Sequence, residues 1–371
     1  MARSFDLDVA EAETRLDELV HRCTNGGSFG VERDGRLAMV MDGPEDAPDA
    51  PRATPFPPAR RVPTARCAFS VHEAGPADGV PLLMLHGWPE LAHSWAPVCA
   101  PLAEAGYRCV MPDLKGFGAS DRPDDASAYA ASEVTADFCA LLDALGIARA
   151  VIVGHDWGGA LAWPMGWQHP GRVLGVASVC TPHPPRAPAP PLSIFERRFG
   201  PEHYICRFQD EDAADAAFGG REAAFFRFLF RPGVPRARWA ELFPEVTHIP
   251  DRFAAWSPEG ARPPVMGEAD LAVYERAYAA SGHRTPTHVY RNIDRNWSDS
   301  EGADLTVRCP TLMITAARDV LLPPEASEGM EDRCPDLTRA EADCGHWAMW
   351  EAPEAVTAAL LKWLRERFPA D

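Results

Sequence analysis

Apolar positions fall along this chain in two rhythms. Continuous apolar runs at residues 81–85, 108–112, 151–153, 173–180 and 310–315 read as strands buried on both faces, as in a parallel sheet. Residues 67–72 alternate and read as a further strand. Between the runs the period lengthens: Val134, Phe138, Leu141, Leu142 and Leu145 share one helical face within 132–146, and 354–367 predicts a C-terminal helix. Strands alternating with helices over this length imply a mostly parallel, doubly wound sheet.

Two regions break that rhythm. The first, 1–42, predicts a small α+β unit. Asp8 can cap a helix with Leu16, Leu19, Val20 and Cys23 at helical spacing and Asn25-Gly26-Gly27 at its end. Short alternating runs at 28–32 and 36–41 follow, joined by Arg33-Asp34-Gly35, a tight-turn signal. Residues 43–66 hold seven prolines and few large apolar residues, which predicts a semi-rigid linker. The second break is 183–302, opened by clustered prolines at 182–191 and rich in aromatics, among them Phe225, Phe226, Phe228 and Phe230. It predicts a helical insertion between the two halves of the sheet, 67–182 and 303–371. Its aromatics suit either an apolar pocket or packing of the insertion on the sheet.

Composition narrows the function classes. With 371 residues, 46% of them hydrophobic, the chain can bury one large core and a smaller unit besides. The net charge of −18 argues against broad affinity for nucleic acid or anionic membranes. No run approaches a membrane span, and the start Met1-Ala2-Arg3-Ser4-Phe5-Asp6 lacks a signal peptide's apolar centre. The ten cysteines show no paired or zinc-like spacing and read as buried thiols of a cytoplasmic protein. Lysine occurs only at Lys115 and Lys362, an arginine preference that GC-rich bacterial coding explains.

The chemistry concentrates where the run 151–153 meets Gly154-His155-Asp156-Trp157-Gly158-Gly159. A β-branched strand, a glycine-flanked turn and an alanine-rich helix start form the context of a nucleophile elbow, with Asp156 where serine usually stands. A carboxylate is already ionised at neutral pH, so it needs no base to become a nucleophile. It attacks an alkyl carbon, opening a strained ring or expelling a halide, and leaves an ester on the enzyme. A buried helix N-cap would also explain an aspartate here. The strand 81–85 ends in His86-Gly87-Trp88-Pro89-Glu90, a turn able to aim a backbone N–H beside Asp156. The glycine-rich turn 113–123 reads as structural, since no helix N-terminus follows it directly. Later come Asp319, just past a strand end, and His346 in Asp343-Cys344-Gly345-His346-Trp347. Nucleophile, acid, histidine is the hydrolase order.

The motifs His86-Gly87-Trp88-Pro89, Asp113-Leu114-Lys115-Gly116-Phe117-Gly118-Ala119-Ser120 and Gly154-His155-Asp156-Trp157-Gly158-Gly159 together resemble the epoxide hydrolases of the α/β-hydrolase fold, over roughly 65–370. The resemblance implies that 183–302 forms a cap, that Trp88 and Trp157 supply oxyanion N–H groups, and that Asp319 orients His346. It also implies a small-molecule epoxide as substrate, with no metal or organic cofactor. The segments around Tyr204 and Tyr290 resemble those that supply this family's paired phenols, and a phenol (reference pKa near ~10) stays protonated to donate to a nascent alkoxide. After Phe208-Gln209 the chain departs from the family pattern, with Asp210-Glu211-Asp212 where Pro-Gly is usual. A haloalkane or haloacid dehalogenase would share the Asp nucleophile but gain nothing from two phenols. Residues 9–19 and 31–38 resemble the N-terminal domain of prevent-host-death antitoxins, which implies a dimerisation module. Up to Arg52 there are 12 acidic residues against 6 arginines, which disfavours phosphate contact and nucleic-acid binding.

Overall fold

The computed structural model describes residues 53–370 and, as backbone, 6–8, 28–33 and 36–42. The chain divides into two compact units, Met1–Arg52 and Ala53–Asp371. In the first, strand β2 (Ser28–Arg33) runs antiparallel to β3 (Arg36–Asp42) and parallel to β1 (Asp6–Asp8). The expected hairpin is there; the helix expected from Asp8 lies outside the described residues.

The second unit is built on an eight-stranded sheet. Its strands are β4 (Ala59–Pro63), β5 (Ala68–Ala74), β6 (Val80–Leu85), β7 (Tyr107–Pro112), β8 (Ala150–His155), β9 (Val173–Val179), β10 (Thr311–Ala316) and β11 (Leu337–Ala342). They lie in the order β11-β10-β9-β8-β6-β7-β5-β4, parallel except where β5 pairs with β4 and β7. Strand β4 corrects the linker expected at 43–66. Val62 is its one buried residue, so a proline-rich, polar stretch joins the sheet as an edge. The other edge, β11, was not foreseen, because Thr338, Arg339 and Glu341 interrupt any apolar run.

The continuous runs are buried on both faces, as their composition requires. Leu83, Leu85 and Ile152 belong to one hydrophobic cluster, while Leu82, Met84, Val151 and Val153 belong to the other. Helices α1 (Ala96–Glu104), α2 (Ala131–Ala144) and α3 (Trp157–Gln168) connect the first strands. Between β9 and β10 every regular element of the described chain is helical, the α-helices being α4 (Pro191–Phe199), α5 (Tyr204–Arg207), α6 (Ala213–Phe218), α7 (Glu222–Leu229), α8 (Trp239–Thr247), α9 (Ile249–Ala254), α10 (Glu268–Ser281), α11 (His288–Arg291) and α12 (Ile293–Asp299). Short α13 (Ala348–Glu351) and α14 (Pro353–Arg367) close the chain.

The insertion has its own aromatic core. Phe218 and Phe225 stack at 4.1 Å between ring centroids, and Phe226, Phe253, Tyr274 and Tyr278 pack around them, fully buried. The aromatics of 225–230 serve packing, within the insertion and also onto the rest of the chain, where Phe225 meets Trp88 at 6.1 Å and Phe230 meets Trp347 at 4.6 Å. Residues just before β4 are tied to the insertion. Asp270 of α10 accepts from the Thr54 N–H (2.7 Å) and pairs with His93 (2.9 Å). No helix among the described residues is long and apolar enough to cross a membrane. The described cysteines are all free thiols, though Cys67, Cys139, Cys206 and Cys309 are only half-buried.

Candidate active site

Strand register decides which loops meet. Leu85 of β6 pairs with Gly154 of β8, and His155 pairs with Val179 of β9, so the chain leaves β6 and β8 side by side at one sheet edge. Asp156 sits in the turn between β8 and α3 at φ 49° and ψ −119°, a region that non-glycine residues rarely occupy. Two glycines make the turn possible. A Cβ on Gly158 would come within 2.0 Å of the Leu85 carbonyl oxygen, and one on Gly87 within 2.3 Å of the Asp156 Cβ.

The neighbouring loop carries a cis peptide between Trp88 and Pro89, and the Trp88 N–H donates to Asp156 Oδ1 at 2.8 Å. The Trp157 N–H is the first donor of α3, left without a helical acceptor. From the far side of the sheet, Asp319 follows β10 and His346 follows β11. Asp319 is fully buried; its Oδ1 accepts from the Leu321 and Leu322 N–H groups at 2.9 and 3.0 Å. Its Oδ2 lies 2.7 Å from His346 Nδ1, and His346 Nε2 lies 3.5 Å from Asp156 Oδ2. The imidazole thus bridges the two carboxylates.

Burial alone would raise the Asp156 carboxyl, but the hydrogen bond and charge of His346, with lesser help from His155 and the Trp88 N–H, hold it below the usual carboxylate range. Burial works in the opposite sense on His346, and there the charge of Asp319 and the bonds to both carboxylates win, lifting it well above an ordinary histidine.

The insertion brings its tyrosines to the same place. Tyr204 on α5 and Tyr290 on α11 stand edge to face at 5.5 Å, Tyr204 lies over Trp88 at 6.2 Å, and Tyr290 meets Trp157 at 4.9 Å. Both phenols are pushed well above their ordinary value, by burial first and by the nearby Asp156 charge as well. They line one cleft with Asp156, His346 and Trp88, enclosing about 650 Å³ that is partly open to solvent. Leu242, Val246, Ile249, Val320 and Leu321 make much of its wall apolar. Five side chains from distant stretches, Asp156, Asp319, His346, Tyr204 and Tyr290, therefore face one space.

Glu90 and His155 had been passed over, although both stand inside the quoted motifs. Each is fully buried, and they pair at 2.8 Å between His155 Nδ1 and Glu90 Oε2. The same oxygen accepts from the Gly87 N–H at 2.6 Å, and His155 Nε2 meets the His346 carbonyl oxygen at 2.8 Å. Burial would raise the Glu90 carboxyl; the His155 charge and hydrogen bond bring it below its ordinary value. The pair fastens the loop that holds Trp88 to the loop that holds His346. A charged residue at a strand-ending turn was the available signal. His155, Cys180 and His346 lie close enough to suggest a metal, but His155 Nε2 and Cys180 Sγ both engage the His346 carbonyl, and His346 Nδ1 serves Asp319.

Comparison with known proteins identifies the fold family. The alpha/beta hydrolase fold family matches residues 80–353. Epoxide hydrolase A of Mycobacterium tuberculosis is 36% identical over 321 residues, covering 83% of this chain and 97% of that protein. Mouse (Mus musculus) bifunctional epoxide hydrolase 2 is 32% identical over 324 residues, covering 86% of this chain; the chain spans 58% of that longer protein. Among solved structures, epoxide hydrolase A from Mycobacterium thermoresistibile superposes with a TM-score of 0.74 at 31% identity, covering 83% of this chain and 98% of that one. An epoxide hydrolase from an endophytic Streptomyces gives 0.73 at 31%, covering 82% and 94%. With an aspartate at the elbow and relatives of this kind over most of its length, the chain belongs to the alpha/beta hydrolase fold family, among its epoxide hydrolases.

Proposed function

We propose that the protein opens an epoxide to a vicinal diol through an ester on Asp156. The observation that carries this reading is the cleft itself: an ionised elbow carboxylate and two high-pKa phenols face one apolar space, with His346 and Asp319 behind the carboxylate. In the first step an Asp156 oxygen attacks an epoxide carbon. The ring C–O bond breaks, and the released oxygen takes a proton from the Tyr204 and Tyr290 pair. In the second step His346 takes a proton from water, and the hydroxide attacks the ester carbonyl. The Trp88 and Trp157 N–H groups receive the oxyanion. Collapse expels the product alkoxide, which takes the proton of the nascent Asp156 carboxylic acid, so the diol leaves and the carboxylate is restored beside a protonated imidazole. Overall one water is added.

His346 changes character between the steps. While Asp156 is ionised, its charge helps keep the imidazole protonated. Alkylation removes that charge, and the imidazolium gives its proton to the phenolate left by ring opening, so the histidine becomes a base only once there is an ester to hydrolyse. The relatives above are named epoxide hydrolases, which favours ring opening over halide displacement.

The His346→Gln variant tests the mechanism. Asp156 should still be alkylated, so rapid quench with a turned-over epoxide should add the mass of one intact epoxide to the Asp156 peptide. Finding no adduct, with Asp156→Ala also inactive, would leave Asp156 as a general base for direct water attack. A dehalogenase would instead trap an alkyl group lacking its halogen.

For the first unit we propose self-association rather than DNA binding, in a cytoplasmic enzyme. Its acidic balance supports this, as does the difficulty of burying a core in about 50 residues. Deleting residues 1–50 should lower the solution mass to that of a monomer; an unchanged mass would reject the idea.

A further inference from the structure

Three arginines line the cleft besides the groups already described: Arg231 just after α7, Arg262 between α9 and α10, and Arg318 beside Asp319. Two of them are neutralised. Arg231 pairs with Glu245 at 2.8 Å, and Arg318 binds Asp343, with Nε 2.7 Å from Oδ1. Arg262 is different. Its guanidinium donates to the Pro232 carbonyl oxygen and forms no salt bridge among the described residues.

The acids around Arg262 are committed elsewhere: Glu245 and Glu351, whose charge acts on it, and, in a neighbouring hollow that Arg262 also lines, Glu241, which pairs with Arg238, and Glu259, which accepts from Ser257. Glu245 holds Arg231. Glu351 accepts from the N–H groups of Gly233, Gly345 and Trp347 at 2.9, 2.8 and 3.2 Å. Burial, and then the like charge of Arg231, lower the Arg262 guanidinium from its ordinary value, as expected for a cation crowded by a second one and lacking a counter-ion. An arginine is a planar fork of donors matched to a carboxylate, and half-burial in an apolar wall strengthens that pairing. The chain's net charge of −18 otherwise disfavours anions, so an anionic ligand needs a local cation.

We propose that Arg262 is a carboxylate-binding subsite of the substrate cleft, so that the preferred substrate is an apolar epoxide bearing a carboxylate at a distance from the ring. This rests on the epoxide reading above and adds the chemistry of the substrate's other end. The apolar wall receives the chain between them, and the fixed separation of Arg262 from Asp156 selects a chain length.

The test compares ω-epoxy acids of graded length, 7,8-epoxyoctanoate to 10,11-epoxyundecanoate, with their methyl esters. The readout is the acid-to-ester ratio of kcat/KM, from which the amount of folded enzyme cancels. The wild type should favour the acid at one chain length. Arg262→Gln should cut that ratio about tenfold or more, and Arg262→Lys, which keeps the charge but loses the fork, should fall between. Equal ratios in wild type and Arg262→Gln overturn the proposal. A second arm does not depend on turnover: calorimetric binding of octanoate against octanamide. Octanoate should bind more tightly to the wild type, with the difference lost in Arg262→Gln; equal affinity for the two overturns the subsite. If the wild type opens no epoxide at all, the epoxide reading fails and this binding arm alone decides on Arg262.

Discussion

The sheet edge and the helical insertion contribute to one cleft by different physical means. At the sheet edge the backbone does the positioning. Asp156 leaves β8 in a conformation that only a glycine-padded turn permits, Asp319 is fixed by two N–H groups, and the loops around them are tied by Glu90 and His155. In the insertion the positioning is by packing. Tyr204 and Tyr290 stand on helices of four residues each, too short to hold themselves, and are steadied by aromatic neighbours. The elbow carboxylate and the histidine beside it are thus set by strand register, whereas the two phenols are set by side-chain contacts.

The strongest challenge to that division is the tyrosine pair. Tyr204→Phe and Tyr290→Phe should each slow single-turnover ring opening by about 10²-fold, and the double variant more, since each removes a donor to the nascent alkoxide. Near-normal turnover in the double variant would confine the chemistry to the sheet edge.

A pH profile separates the two steps more finely. Asp156 lies below the usual carboxylate range, so alkylation should have no acid limb between about pH 5 and 8. Ester hydrolysis needs neutral His346 and should fall about tenfold per pH unit once pH drops through the histidine's value in the ester state. The ester should therefore build up on the acid side, as quenched-flow mass analysis would show. At high pH the raised phenols should stay protonated through the range in which free tyrosine ionises. An acid limb on alkylation would mean that a second group near Asp156 controls its charge.

The smallest effect on turnover should come from Phe225→Ala, in the interior of the insertion. It should lower stability by about 3–5 kcal/mol through the cavity it leaves, read from denaturant midpoints, while changing kcat no more than about threefold. A much larger loss of kcat would show that the site depends on this packing through Trp88, whose ring lies 6.1 Å from that of Phe225.

The sheet edge was the more legible region, because the continuous runs reveal buried strands and the motifs lie at their ends. Strands β4 and β11 escaped notice because edge strands need no apolar run. The tyrosines were found by resemblance to family segments, not by periodicity. Glu90 and His155 stand 65 residues apart; a charge at a strand-ending turn marks Glu90, but nothing local names His155 as its partner. Arg262 was invisible for another reason. Lacking a counter-ion is a property of three-dimensional surroundings, in a chain where nearly every cation is an arginine.

The insertion lies between β9 and β10, and this fixes the order in which the machinery emerges from the ribosome. Asp156 and the Trp88 loop are made first, and six of the eight strands of the sheet precede the insertion. Tyr204 and Tyr290 follow, and Asp319 and His346 arrive only with the last stretch of chain. On the proposed mechanism, a polypeptide halted before β10 would hold a nucleophile and phenols but no means of releasing an ester. Translation therefore withholds turnover until the two strands that finish the sheet have been made.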